Sequence, residues 1–362
     1  MTKVRWGLLS TAAIGRVVIE ATRRARHTEF VAVASRDAVR ARRFADELGL
    51  KASLGSYEEL LASDVVDAVY VALPPAMHTE WTVKALEAGK HVLCEKPFAV
   101  DPDEAARCFD AALAAGRVCV EGLMYRLHPQ TTLARTLVAD GALGRLAYMR
   151  AALSISAPPG DIRRSVELGG GALLDLGCYC VSAVRLFAGQ PERVYAEQVR
   201  DGADGVDLRF VATMTLSGDV RAQFDTGLDL PRRDELELIG TGGKLTIPDP
   251  WLCRPGYLDL ERDGRTERLP ADPSGAAGLT GEEADAYRIE FDTVSAAIAG
   301  EAQLPFGRAD AIAQAVVLQA LRRSSQQRVP LELDVPGSSP VRRRGLFGLN
   351  PQSGTGSVAT GS

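Results

Sequence analysis

Cysteine and histidine are scarce in this chain, at six and four among 362 residues. No two cysteines form a C-x-x-C pair and no two histidines have zinc-ligand spacing, so no metal site and no dithiol redox motif is expected. Cys94, Cys108, Cys119, Cys178, Cys180 and Cys253 read as small buried apolar residues. That usage suits a reducing, cytoplasmic setting. Long apolar runs are missing too. None approaches the roughly 18 residues of a membrane span, and the opening MTKVRWGLLSTAAIG holds too short a run for a secretory signal. There is no excess of positive charge: Lys and Arg total 42 against 47 Asp and Glu, a formal charge of -5. Neither a membrane nor a nucleic acid is therefore an expected partner.

What is present is an ordinary globular composition, 46% hydrophobic and 25% charged. At roughly 150 residues per domain the length suggests about two domains. Over residues 1–122, strands and helices alternate. Val4–Leu9, Phe30–Ala34, Val69–Leu73, His91–Cys94 and Val118–Glu121 read as strands. Ile14–Arg24, Ala38–Leu48, Thr79–Ala88 and Asp103–Ala115 read as helices. Largely apolar strands in a βαβ rhythm imply an α/β domain whose parallel sheet is covered on both faces. Over residues 123–333 the pattern changes. Helical spacing appears at Gln130–Asp140 and Ala172–Phe187, and strands at Ala147–Ile155, Arg193–Gln198, Leu208–Leu216, Val220–Thr226, Asp234–Ile239 and Lys244–Ile247. Their short connections favour a C-terminal α+β domain with a mostly antiparallel sheet. Helices from Glu283 to Ala299 and Ala309 to Arg323 close it. Residues 334–362, rich in Gly, Ser and Pro, read as a disordered tail.

The turn from the first strand to the first helix is Gly7-Leu8-Leu9-Ser10-Thr11-Ala12-Ala13-Ile14-Gly15. A dinucleotide-binding fold carries G-x-G-x-x-G here, and Ser10, Ala12 and Gly15 fill those slots, with Thr11 and Ile14 between them. Small residues are kept, so a backbone approach to a pyrophosphate remains open. The second strand ends at Ser35-Arg36-Asp37. An NAD site usually has an acid at that strand end, whereas a hydroxyl and a guanidinium suit a 2′-phosphate. Asp37 is either the N-cap of the next helix or a ribose contact, and the N-cap reading is favoured.

Glu95-Lys96-Pro97 follows a strand at the edge of the sheet where ligands bind in such folds. With the Ser10–Gly15 loop, Leu73-Pro74-Pro75, His78 and the run Ala85–Val92, it resembles the Gfo/Idh/MocA oxidoreductases. The segments Gly169–Gly177 and Glu235–Gly243 extend the resemblance over about residues 3–330. It implies a Rossmann domain followed by a domain with a large open sheet that commonly mediates oligomers, here a homodimer or homotetramer. It implies hydride transfer between a nicotinamide and a hydroxyl-bearing carbon, usually of a sugar or cyclitol. It maps the family's lysine onto Lys96 and a cis peptide onto Lys96–Pro97. Leu73, Pro74, His78 and Glu95, with Lys96, fall on the cofactor side. Many members have His where this chain has Tyr179, four residues after Asp175. That departure is similar to the branch holding NADP-dependent D-xylose 1-dehydrogenase, dimeric dihydrodiol dehydrogenase and nucleotide-sugar 3-ketoreductases, where the Tyr is taken as the acid/base.

The chemistry also stands on its own terms. Asp175 and Tyr179 share a helix face at i, i+4, and Gly169–Gly171 lets that helix start close to a ligand. A phenol titrates near pH 10, and a neighbouring Lys96 ammonium is expected to lower that value. Lys96 can polarise the substrate oxygen and Asp175 can orient a hydroxyl. Tyr125, His128 and Arg163 are further substrate-pocket candidates. The resulting expectation is an NADP-preferring dehydrogenase of a D-xylose-like aldose. A nucleotide-sugar 3-ketoreductase and a non-catalytic dinucleotide sensor are the alternatives.

Overall fold

Strands buried on both sides have no need to alternate polar with apolar positions. β1 (Val4–Leu9), β2 (Thr28–Ala34) and β4 (Ala68–Val71) follow that rule, and all four residues of β4 are buried. With β3 (Ala52–Leu54), β5 (His91–Glu95) and β6 (Cys119–Gly122) they form a parallel sheet in the order β3-β2-β1-β4-β5-β6. This is the doubly wound order, and its switch point lies between β1 and β4. Helices α1 (Ala13–Ala21), α2 (Ala38–Leu48), α3 (Tyr57–Ala62), α4 (His78–Glu87) and α5 (Pro102–Ala115) make the crossovers. The computed structural model describes residues 3–334 except 203–204, 255 and 272–284. Among the described residues no helix is long and apolar enough to cross a membrane. Periodicity missed β3 and α3 because three and six residues are too few to show a period.

After α6 (Pro129–Ala139) and β7 (Leu146–Ser156) comes a short π-helical turn that runs into α7 (Cys178–Ala188). Then follow β8 (Arg193–Arg200), β9 (Asp207–Thr215), β10 (Arg221–Gly227), β11 (Asp229–Gly240), β12 (Lys244–Thr246), β13 (Tyr257–Arg262), β14 (Arg265–Pro270), α8 (Ala286–Ile298), α9 (Arg308–Gln327) and β15 (Leu331–Glu332). Nine strands pair in the order β14-β13-β12-β11-β7-β10-β9-β8-β15, antiparallel except for β7 with β10. On β9, Phe210, Ala212 and Met214 are buried while Arg209, Val211 and Thr213 are exposed. One face therefore carries the core under α7 and α9, and the other stays open. The β13–β14 hairpin was not anticipated. Its turn, Asp263-Gly264, has positive φ at both positions, as a two-residue hairpin requires.

The last two helices return to the first sheet. Phe291 and Val294 of α8 pack with Trp6 and Tyr70, and Ala311 and Ala315 of α9 join the cluster of α4 and α5. Trp6 Nε1 donates to Ser295 Oγ at 2.9 Å. The N-terminal core is thus completed by the far end of the chain. The expected helix start at Glu283 and the tail beyond Asp334 lie outside the described residues.

Candidate active site

At the end of β1 the backbone turns through Ser10, whose φ is 110°. Its hydroxyl donates to the Ala72 carbonyl at 2.7 Å and accepts from Ala12 N at 3.2 Å, which pins the turn to the end of β4. No side chain caps α1, so its first N–H groups offer themselves to an anion. Ser10, Thr11, Ala12 and Ile14 line a cleft of about 720 Å³. Gly15 does not line it. A Cβ there would press into Leu8, so this glycine serves helix-on-strand packing.

Ser35 and Arg36 line the same cleft. Asp37 caps α2, its Oδ1 accepting from Arg40 N at 3.0 Å, and it also lines the cleft, so the cap reading holds without excluding a ribose contact. Arg40, in the first turn of α2, also reaches the cleft, as does Tyr57. Leu73 and Pro74 line the opposite wall. His78 was expected on the cofactor side but is 1% exposed. Its Nδ1 lies 2.8 Å from the Pro97 carbonyl and its Nε2 2.7 Å from the Leu73 carbonyl, so it braces the two loops that flank the cleft. Burial pushes its pKa down to about 4 against the pull of those two carbonyls.

Glu95 reaches the cleft, but its carboxylate is taken by the Tyr70 hydroxyl and by Lys96 N at 3.2 Å. The Lys96–Pro97 peptide is cis, as expected. Lys96 Nζ donates to Asp175 Oδ1 at 2.8 Å and to the Asp175 carbonyl at 2.9 Å. The other carboxylate oxygen, Oδ2, accepts from Arg163 Nε at 2.9 Å. Asp175 was expected to orient a substrate hydroxyl. Each of its oxygens bonds one cation and Asp175 also lines the cleft, so holding Lys96 is added to that expectation. Burial is the largest single influence on both charges and opposes them, but the attractions together outweigh it: Lys96 and Arg163 hold the Asp175 carboxyl below its usual range, and Asp175, with Cys178 and Glu95, holds the Lys96 ammonium above its own.

Tyr179 is buried, with its hydroxyl 3.7 Å from Met124 Sδ. The expected lowering of its pKa is not found. Burial raises it well above 10, and the nearby Tyr287 and Glu95 add to that. Lys96 Nζ lies over the ring face, 5.2 Å from the centroid, and its charge is answered by Asp175.

Comparisons with known proteins identify the lineage. Residues 4–123 match the model of the oxidoreductase family with an NAD-binding Rossmann fold, and residues 131–246 match the Gfo/Idh/MocA C-terminal domain. The chain belongs to the Gfo/Idh/MocA oxidoreductase family. This family member is 36% identical over 335 residues to a D-xylose 1-dehydrogenase (NADP(+)) of Haloferax volcanii, covering 91% of this chain and 99% of that protein. It is 35% identical over 277 residues to a dTDP-3,4-didehydro-2,6-dideoxy-alpha-D-glucose 3-reductase of Actinomadura kijaniata, covering 74% and 83%. A solved 3-ketoreductase from Actinomadura kijaniata in complex with NADP and TDP-benzene superposes with a TM-score of 0.80 at 31% identity, covering 89% of this chain and 98% of that one.

Two expected substrate residues of this Gfo/Idh/MocA oxidoreductase lie elsewhere. Tyr125 is 1% exposed and its hydroxyl donates to Ser182 Oγ at 2.7 Å, inside the core behind Tyr179. His128 is also 1% exposed and caps α6, accepting from Gln130 N at 3.1 Å. Arg163 does line the cleft. The sequence reading missed Trp251, Tyr287 and Arg232, which reach the cleft from loops and elements far along the chain. No local motif marks them. Among the described residues no group of His, Cys, Asp and Glu is arranged to hold a metal ion.

Proposed function

We propose that this oxidoreductase is an NADP-preferring dehydrogenase that oxidises C1 of a neutral, D-xylose-like aldose. The observation that carries the reading is one continuous cleft with Ser35, Arg36 and Arg40 at one end and Lys96, Asp175 and Tyr179 at the other. The small residues Ser10, Thr11 and Ala12 and the uncapped start of α1 fit a pyrophosphate. Ser35, Arg36 and Arg40 fit a ribose 2′-phosphate, with no acid to repel it except the capping Asp37. Bound there, NADP would supply the hydride acceptor.

The chain's own residues handle the oxygen and the proton. Lys96 has one ammonium hydrogen beyond the two given to Asp175, and that one can bond the substrate oxygen. Tyr179 exchanges the hydroxyl proton at its Oη. Since burial holds the phenol neutral, it is set to donate in the reductive direction and must first ionise for oxidation.

A nucleotide-linked keto sugar is the second reading. Against it stands the pairing of every described cation on the substrate side: Lys96 and Arg163 with Asp175, and Arg232 with Asp234 at 2.6 Å. A diphosphate would have to displace a carboxylate, whereas a neutral sugar would not.

We also propose a homodimer or homotetramer through the open sheet face, where Val199 and Val211 are 51% and 53% exposed. All six cysteines are free and buried, in keeping with a reducing cytoplasm. Turnover assays with NADP and NAD, an aldose panel and dTDP-linked keto sugars test the activity. NADPH formation with D-xylose or a close aldose is expected. Turnover of dTDP-keto sugars alone would move the assignment to a ketoreductase, and NADP binding without any turnover would mean a sensor.

A further inference from the structure

Asp207 opens β9 outside the cleft and has no part in the chemistry above. We propose that Asp207 is the positioning residue of the catalytic helix, clamping the turn at Gly171–Leu173 and so setting where Asp175 and Tyr179 point. The inference rests on the catalytic reading of those two residues.

The π-helical turn spans Leu173–Gly177 and continues without a break into α7. Its opening N–H groups have no acceptor within the helix, and Ala172 at the cap position supplies none. Asp207 fills the gap from a neighbouring strand, its Oδ2 accepting from Leu173 N at 2.7 Å. A carboxylate at a helix start is also favoured by the helix dipole.

Gly171 shows how closely the two segments are fitted. Its φ is 120°, a value side-chain-bearing residues rarely adopt, and a Cβ there would overlap the Asp207 carboxylate. The glycine run is thus explained by three separate approaches. Gly169 makes room for Pro75 and Ala76, Gly170 for the Arg163 carbonyl, and Gly171 for Asp207. The other side of the turn is held by Gly171 N donating to the Arg163 carbonyl at 2.9 Å.

A π-turn holds one more residue than an α-turn. Released from its clamp, it can relax to α-geometry, which shifts a helical register by about 100° per residue. Asp175 lies inside this turn, so such a shift would withdraw its carboxylate from Lys96. Burial raises the Asp207 carboxyl to about 6, while the Leu173 N–H, Arg200 and Arg322 pull it down, so it is ionised at neutral pH.

The test compares full-length Asp207→Ala, Asp207→Asn and Asp207→Glu at neutral pH. Three things are measured: kcat, NADP affinity, and hydrogen exchange of the Leu173–Asp175 amides by mass spectrometry. Asp207→Ala should lower kcat about 10-fold or more, speed exchange in that turn, and leave the NADP Kd within about two-fold. Asp207→Asn keeps the length and an accepting oxygen, so it should restore kcat to within about three-fold. Asp207→Glu keeps the charge but has no room beside Gly171, so it should fall with Ala. Wild-type kcat and exchange in Asp207→Ala would overturn the proposal. So would an Asn variant no better than Ala, or NADP affinity falling in step with kcat. Should Asp207→Ala fail to fold, a fully active Asp207→Glu would overturn it instead. Exchange and NADP binding need no sugar. If they behave as expected but the wild type turns over no aldose, the substrate reading fails and the clamp stands.

Discussion

Lys96 gives two of its three ammonium hydrogens to one residue, Asp175, through the carboxylate at 2.8 Å and the backbone carbonyl at 2.9 Å. Both contacts come from a turn of the second domain, so the ammonium spans the cleft between domains. Lys96→Met should lower kcat by about 10²-fold or more, because it removes the charge proposed to stabilise the reacting oxygen. Asp175→Ala should lower kcat by a similar order by letting Lys96 swing away. Because the second effect acts through the first, the double variant should be no worse than Lys96→Met alone. Additive losses in steady-state kinetics would show that Asp175 touches the substrate in its own right.

Tyr179→Phe deletes a hydroxyl whose one contact in the described structure is Met124 Sδ. Stability should barely change, and NADP affinity should hold. We expect kcat to fall roughly 10²–10⁴-fold. A near-normal kcat would make Tyr179 a packing residue.

The raised phenol pKa gives the pH dependence of the intact enzyme a sign. In the proposed mechanism, aldose oxidation needs the ionised phenol, whose fraction grows about ten-fold per pH unit below its pKa. Oxidative kcat should therefore rise with pH and still be rising at about pH 9. Reduction of the corresponding carbonyl, which needs the neutral phenol, should stay flat over the same range. A plateau in oxidation below about pH 8 would assign the proton to another group.

Arg36→Ala should weaken NADP binding by about 1.5–3 kcal/mol and leave NAD nearly unchanged, through loss of a charge-assisted bond to the 2′-phosphate. Arg40→Ala should act in the same direction by a smaller amount. Calorimetry with both cofactors checks this, and equal losses for NAD and NADP would refute it.

His91 ties the pH dependence of stability to the first sheet. Its Nδ1 accepts from Val118 N at 2.9 Å, which requires the neutral ring, and burial followed by Arg117 lowers its pKa to about 4. The unfolded chain takes up this proton near pH 6.5, before the folded chain does, so stability should fall as pH drops from about 6.5 to about 4. Allowing for water at the ring, the loss should be about 1–2 kcal/mol. Denaturant midpoints at pH 7 and pH 5 for the wild type and His91→Gln measure it. Identical pH slopes would rule the histidine out.

Read alone, the sequence determined the features that depend on neighbours along the chain. The apolar strands in a βαβ rhythm, the small residues at Ser10 and Ala12, and the shared helix face of Asp175 and Tyr179 are local patterns. The strands survive in the structure because backbone geometry imposes a period on any segment, whereas Asp175 and Tyr179 both reach the cleft through a π-helical turn and not through the 3.6 period. Asp37 was legible as a cap, since a cap bonds only two or three residues onward. The tertiary structure decided the rest. Tyr125 and His128 sit beside a telling segment, yet packing turned both into the core. Trp251, Tyr287 and Arg232 reach the cleft, and Asp207 reaches Gly171, only because remote elements are brought together. The sign of the Tyr179 shift belongs here as well. Proximity to a lysine can be guessed from a motif. Whether burial outweighs that charge depends on how much of the whole fold closes over the phenol, and no local pattern encodes that sum.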